Sequence, residues 1–190
     1  MAVHLTKIYT RAGDGGQTRL SDNSLVSKTD PRLIAYADVD ETNSVLGVAL
    51  ATAALVPDVG EVLRAVQNDL FDVGADLSTP IAEAPKYPPL RITDSYVERL
   101  EGWCDTFNER LGKLDSFILP GGTPAGALLH QARCVARRAE RAAWALMEAD
   151  PERTGPLPAK YLNRLSDLLF ILARVANPDG DVLWKPGGNA

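Results

Sequence analysis

Cysteine is scarce: Cys104 and Cys134 are the two in a chain of 190 residues. They match neither a disulfide framework nor a metal-ligand spacing, so both are expected to be reduced thiols. Aromatic residues make up only 6% of the chain, while alanine is abundant. That balance disfavours a sheet built on aromatic and β-branched pairs and favours closely packed helices. Positive charge is not in excess either, because the formal net charge is −5. A general nucleic-acid binder is thereby excluded, and any anion site must be local. No stretch approaches the ~18 apolar residues of a membrane span, and the opening MAVHLTKIYTR lacks the apolar run of a signal peptide. A soluble, cytoplasmic protein with no membrane partner is expected. The two histidines, His4 and His130, stand alone in sequence and suggest neither a catalytic triad nor a metal site.

What the chain does have is 45% hydrophobic residues, enough for one ordinary core and one domain. Breakers divide it into a polar head over residues 6–28, a helical region over 30–177 and a tail over 178–190. The first helix is expected from Pro31 to about Val56, with Leu33, Ala37, Asp40, Ser44 and Gly47 on its inner stripe. A carboxylate on such a face needs a cation, so Asp40 calls for a partner. The second helix, about Pro57–Ser78, carries Val59, Leu63, Val66, Leu70, Val73 and Leu77 at bundle spacing. After a proline-rich link that should wrap the surface, Ser95 and Glu98 have capping-box spacing for a third helix ending near Leu111. Thr123 and Pro124 open a fourth reaching Asp150, and the fifth spans about Pro158–Asn177. The expected fold class is all-α, a five-helix bundle with an extended N-terminal loop. The tail, with Leu183 and Trp184 among turn residues, is either a flexible arm or a docked strap.

Two features carry chemistry. The loop Thr10-Arg-Ala-Gly-Asp-Gly-Gly-Gln-Thr18 gathers hydroxyls, glycine N–H groups and an arginine, the equipment for wrapping a polyphosphate. It is no Walker A sequence, and an ordinary glycine-rich hairpin turn is an equally simple explanation; Lys28 downstream shares the ambiguity. In the fourth helix, Arg133, Arg137, Glu140, Arg141 and Trp144 fall on one face, with Ala132, Ala136, Ala139 and Ala143 beside it. Three arginines so close repel one another unless anions sit among them. A triphosphate would meet that need, and so would a salt-bridged face pairing with Glu140 and Asp167.

The ordered set KIYTRAGDGGQT, VSKTD, DVDETNS, FILPGG, RCVARRAER and YLNRLSDLLFILAR resembles the PduO-type ATP:cob(I)alamin adenosyltransferases, from about Lys7 to Ala176. The resemblance implies a homotrimer of five-helix subunits with ATP and corrinoid held where subunits meet. It implies an ATP site of Thr10, Arg11, Ala12, Gly13, Asp14, Thr18 and Lys28 together with Arg137, Arg138, Glu140, Arg141 and Asn163. Mg2+ is expected on the phosphate oxygens rather than in a protein cage. Asp40 is expected to pair with Arg133, and Phe117 to fill the lower face of the corrin and displace its axial base. Without the resemblance, Phe117 would pass for a core residue.

The implied reaction is attack of cob(I)alamin on the 5′ carbon of ATP with loss of triphosphate, the catalytic weight falling on Arg133, Asp40, Phe117 and Arg137. A reductase would supply electrons and an adenosylcobalamin-dependent mutase would accept the product. Ala12 and Arg19 depart from the residues common at their positions in the family. A non-catalytic corrinoid carrier would be expected to lose members of the Arg137, Glu140, Arg141 and Asn163 set, and all are present. A purely structural trimer would leave the loop and arginine face unexplained.

Overall fold

The computed structural model describes residues 9–85 and 87–188. His4 and the first residues of the expected loop, 6–8, lie outside them. The head forms a hairpin of β1 (Gln17–Arg19) and β2 (Leu25–Ser27), antiparallel with Thr18 opposite Val26. Five helices follow: α1 (Pro31–Thr52), α2 (Pro57–Ser78), α3 (Asp94–Asn108), α4 (Pro124–Ala149) and α5 (Leu157–Val175). Helix α4 packs between α1 and α5, α2 covers α1, and α3 lies on α5. The all-α expectation holds, with the small hairpin as its one β element among the described residues.

Local sequence explains most boundaries. Asp30 caps α1, its Oδ1 accepting from the Arg32 N–H at 2.8 Å, with Pro31 in the first turn. The helix ends at Thr52, short of the expected Val56. Pro57 opens α2, and the residue before a proline is driven to extended backbone; Val56 sits at φ −64°, ψ 145°. The capping box expected for α3 is not used: Thr93 occupies the cap position and Ser95 bonds its hydroxyl instead, at 2.7 Å. That helix also stops at Asn108 rather than Leu111. Thr123 does cap α4, accepting from Gly126 at 3.0 Å while donating to the Ala176 carbonyl at 2.8 Å. Gly126 has no alternative here, because a Cβ would run into Asn177, whose Oδ1 holds the Thr123 N–H at 2.9 Å.

The seam read from α2 is core throughout, from Val59 to Leu77; it packs chiefly against α1 and belongs to one buried cluster with the alanines of α4 and the leucines of α5. The inner stripe read for α1 is not. Its buried positions are Arg32, Ala35, Val39, Thr42, Asn43, Leu46 and Ala49, whereas Ala37, Asp40 and Ser44 are exposed. Small and apolar residues occupy two faces of this helix, and the protomer buries the other one. The buried Arg32 guanidinium is fully used: it donates to the Leu77 carbonyl, Asp150 and Thr154 at 2.7, 2.9 and 2.9 Å. It thereby ties the start of α1 to the end of α2 and to the corner between α4 and α5.

Candidate functional site

In the head, Arg11 adopts φ 61° and Gly16 φ 78°, and the turn closes through Asp14 N–H to Arg11 O and Gly16 N–H to Gly13 O. Lys28 returns across this turn: its N–H donates to Gly16 O at 2.9 Å, and its Nζ lies where a Cβ on Gly13 would be only 2.9 Å away. The fold therefore brings Thr10–Asp14 and Lys28 into one loop that carries two cations, Arg11 and Lys28. Thr18 and Lys28 line a cavity of about 410 Å3 whose floor is Leu33, Ile34 and Ala37 of α1. Arg19, which departs from the family pattern, serves the hairpin itself by donating to the Asn23 carbonyl at 2.8 Å.

The second half of the site lies on α4 and α5. Arg137, Arg138, Glu140, Arg141, Asn163 and Cys134 surround a cavity of about 360 Å3. Asn163 donates to Glu140 Oε1 at 3.0 Å, fixing that carboxylate between the helices. Arg138 is not free: it turns to α1 and pairs with Asp38 and Glu41. Asp167, the other acid considered for neutralising the arginine face, pairs with Arg164 on its own helix. Arg137 and Arg141 form no ion pair among the described residues and point to solvent. Two unpartnered guanidiniums one helical turn apart repel each other and create local demand for an anion.

Asp40 and Arg133 do not meet. Asp40 is exposed on the outward stripe of α1, lining a cavity of about 530 Å3 with Tyr36 and Phe71. Arg133 is half-buried, and its Nε is enclosed without a hydrogen-bond partner. The inward reading of Asp40 is thus overturned: the buried stripe of α1 runs through Ala35, Val39, Thr42 and Leu46, and the aspartate falls on the neighbouring stripe.

Phe117 is no core residue; 78% of it is exposed. The tail docks beside it as a strap. Trp184 N–H donates to Phe117 O at 2.8 Å, Leu119 N–H to Val182 O at 2.7 Å, and Ile118 bridges Leu183. Asp181 anchors the strap on Arg174 of α5 at 2.8 Å, a pair that is almost fully buried. Next to this anchor His130 is buried with both ring nitrogens unpartnered and its ring in a T-shaped contact with Phe170. Burial, and then the Arg133 charge, lower its proton affinity, partly countered by Asp181. Sequence reading missed this cluster because its members lie up to 51 positions apart, from His130 to Asp181. Of the cysteines, Cys104 is buried with its thiol pushed up to about 11 by desolvation, and Cys134 is exposed in the arginine cavity.

The profile of the cobalamin adenosyltransferase family matches residues 8–176. The chain belongs to that family. A corrinoid adenosyltransferase of Mycobacterium tuberculosis is 67% identical over 189 residues, covering 100% of this chain and 98% of its own length. One from Bacillus subtilis is 40% identical, with 94% of this chain and 92% of the relative covered. Among solved structures, a variant PduO-type ATP:corrinoid adenosyltransferase from Lactobacillus reuteri, complexed with cobalamin and ATP, superposes with a TM-score of 0.87 at 36% identity. That likeness covers 94% of this chain and 97% of the other. The family match spans the hairpin head and all five helices, and it stops just before the strap.

Proposed function

We propose that this chain transfers the 5′-deoxyadenosyl group of ATP to the cobalt of cob(I)alamin, giving adenosylcobalamin and triphosphate. The observation that carries the reading is the cavity in which Arg137 and Arg141 stand unpartnered beside the Glu140–Asn163 pair, on a family member whose relatives are adenosyltransferases. Cob(I)alamin brings its own nucleophile, so the protein needs no activated serine, cysteine or general base. The cobalt electron pair forms the bond to the 5′ carbon as the carbon–oxygen bond breaks, and the electron pair of the carbon–oxygen bond leaves on the triphosphate oxygen.

Negative charge grows on the leaving group, and Arg137, Arg141, Arg11 and Lys28 would offset it while the loop Thr10–Asp14 with Thr18 fixes the approach. Arg138 acts differently from its neighbours: held by Asp38 and Glu41, it orients α4 against α1. Mg2+ would travel on the phosphate oxygens, the hard ligands it prefers, rather than in a protein cage. The exposed Phe117 ring offers an apolar wall against the corrin, which favours a cob(II)alamin that has lost its axial base and is thereby easier to reduce.

The loop cavity and the arginine cavity share no lining residue. This separation, the outward small-residue stripe of α1 and the unmet Asp40 and Arg133 all support a homotrimer in which each site takes its loop from one subunit and its arginine face from the next. A reductase donor and an adenosylcobalamin-dependent mutase acceptor complete the proposal. No described helix is long and apolar enough to cross a membrane, and we place the reaction in the cytoplasm.

The test is an anaerobic assay with chemically reduced cob(I)alamin, ATP and Mg2+. Light-sensitive adenosylcobalamin with intact triphosphate is expected. Corrinoid binding without a cobalt–carbon product would instead make the chain a carrier.

A further inference from the structure

Phe117 stands in the irregular connection from α3 to α4. Its ring is largely exposed and meets Trp184 in a T-shaped contact, so packing alone does little to set its place. The backbone that carries the ring must set it instead. That backbone is held at both ends by the end of α5. At one end Arg174 donates to the Gly112 carbonyl at 3.0 Å while its Nε holds Asp181 of the strap at 2.8 Å. At the other, the buried Asn177 uses both faces of its carboxamide: Oδ1 accepts from the Thr123 N–H at 2.9 Å, and Nδ2 donates to the Gly121 carbonyl at 3.1 Å. The loop closes round this side chain, and a Cβ on Gly122, which adopts φ 92°, or on Gly126 would strike the carboxamide. The Asn177 carbonyl also accepts from the Gly180 N–H at 2.9 Å, opening the turn into the strap. One residue thus joins the Phe117 loop, the start of α4 and the strap to α5.

We infer that Asn177, with Arg174 as its counterpart at the other end of the connection, is a positioning residue for the reaction: it fixes the height of the Phe117 ring and thereby how much bound cob(II)alamin is held without its axial base. The inference rests on the corrinoid reading of Phe117 given above and adds what keeps that wall in place. An apolar wall excludes a ligand only if it resists being pushed back, and a loop free to retreat by about 1 Å would leave room for the base. Asparagine suits the position because the loop offers one N–H and one carbonyl to the same short side chain. Aspartate has the same size but sets an acceptor against the Gly121 carbonyl, leaving that buried group unpaired. The wall matters before the electron arrives rather than after, since cob(I)alamin carries no axial base to displace.

Asn177→Asp, Arg174→Lys and Phe117→Ala, alone and combined, test this by electron paramagnetic resonance of cob(II)alamin on the ATP-saturated protein. Turnover is measured beside it, started either from cob(II)alamin with a reduced flavin or from chemically pre-reduced cob(I)alamin. Asn177→Asp should lower the ratio of base-free to base-bound cob(II)alamin, and turnover from cob(II)alamin, about tenfold, the scale of one hydrogen bond lost with its partner left buried. Turnover from cob(I)alamin and KM for ATP should stay within about twofold of wild type. Arg174→Lys should move the same readouts about threefold, since a lysine lacks the fork that holds Asp181 and Gly112 together; it carries the test if Asn177→Asp fails to fold. Added to Phe117→Ala, either substitution should lower the ratio no further, because it acts through the ring. The inference is overturned if both starting states of cobalt lose equally, if the base-free ratio is unchanged, or if the substitutions multiply with Phe117→Ala. A wild type that binds cob(II)alamin base-free yet makes no adenosylcobalamin would sink the adenosyltransferase reading, while the base-free ratio of the variants would still decide the role of Asn177.

Discussion

Trp184 and Phe117 are joined twice, by the Trp184 N–H on the Phe117 carbonyl at 2.8 Å and by an edge-to-face ring contact at 5.9 Å. Both rings are largely exposed, so the contact adds little to the core, yet it presents a paired aromatic surface at the mouth of the strap. Trp184→Ala should weaken corrinoid binding about three- to tenfold, the scale of one aromatic pair, with ATP affinity unchanged. Deletion from Val182 onward should do more. Separate corrinoid and ATP titrations decide the point, and unaltered corrinoid affinity in both variants would remove the strap from the site.

Arg137→Ala and Arg141→Ala should each lower kcat/KM for ATP on the order of a hundredfold, the usual loss when one donor to developing charge is removed. Arg137→Lys should not restore it, because a lysine offers a point charge rather than a planar fork. Melting temperatures should rise slightly or hold, since each substitution relieves repulsion between neighbouring cations. Steady-state kinetics paired with thermal melts separates this outcome from unfolding.

A site shared between subunits predicts complementation. Lys28→Ala and Arg137→Ala chains, each strongly impaired alone, should regain activity when refolded or co-expressed together, reaching about a quarter of wild-type sites for random mixing of a cyclic trimer. No recovery would mean that loop and arginine face serve the same subunit. Asp40→Asn should weaken assembly or corrinoid placement while sparing ATP binding, and sedimentation of the variant would read the assembly part directly.

These partners differ in how far the chain announced them. The helix starts at Pro31 and at Thr123–Pro124 and the α2 seam were legible because each signal lies within a few residues of its effect. The arginine face was legible for the same reason, one helix and one period. Asp40 was misplaced because α1 carries small residues on two faces, and periodicity alone does not say which face the protomer buries. Arg32 went unnoticed since its partners lie 45 to 122 positions away. The docking of the strap, left open between arm and strap, depended on Arg174 and Asp181 finding a shielded pairing that composition does not encode.

The link between α2, α3 and α5 rests on Asp69, whose carboxylate receives Arg99 at 2.7 Å and the Tyr161 hydroxyl at 3.1 Å. Tyr161 is fully buried, and desolvation beside this carboxylate drives its phenol well above the ordinary value, keeping it a neutral donor. Tyr161→Phe should cost about 1 kcal/mol, the worth of one hydrogen bond. Asp69→Ala should cost more, around 3 kcal/mol, because it strands two donors at once. Urea unfolding measures both, and equal costs would show that Arg99 finds solvent instead.

His130 sets a pH dependence whose sign can be worked out. Its folded-state proton affinity lies below the ordinary 6.5 because burial, and then the Arg133 charge, disfavour the imidazolium, with Asp181 opposing. Between the folded and unfolded values the unfolded chain binds more protons, so stability rises with pH there. The His130 contribution is therefore present in full above pH 6.5 and lost as pH falls through the folded-state value. Asp150, held below its ordinary 3.8 by its bonds to Arg153 and Arg32 against the opposing effect of burial, adds a separate loss only at lower pH. His130→Leu removes the titration and two unpartnered ring nitrogens from a site walled by Phe170. Its unfolding free energy should be nearly flat between pH 7.5 and 5.5, where wild type declines, and the two curves should diverge most at the acid end. Parallel curves would assign the decline to the carboxylates instead.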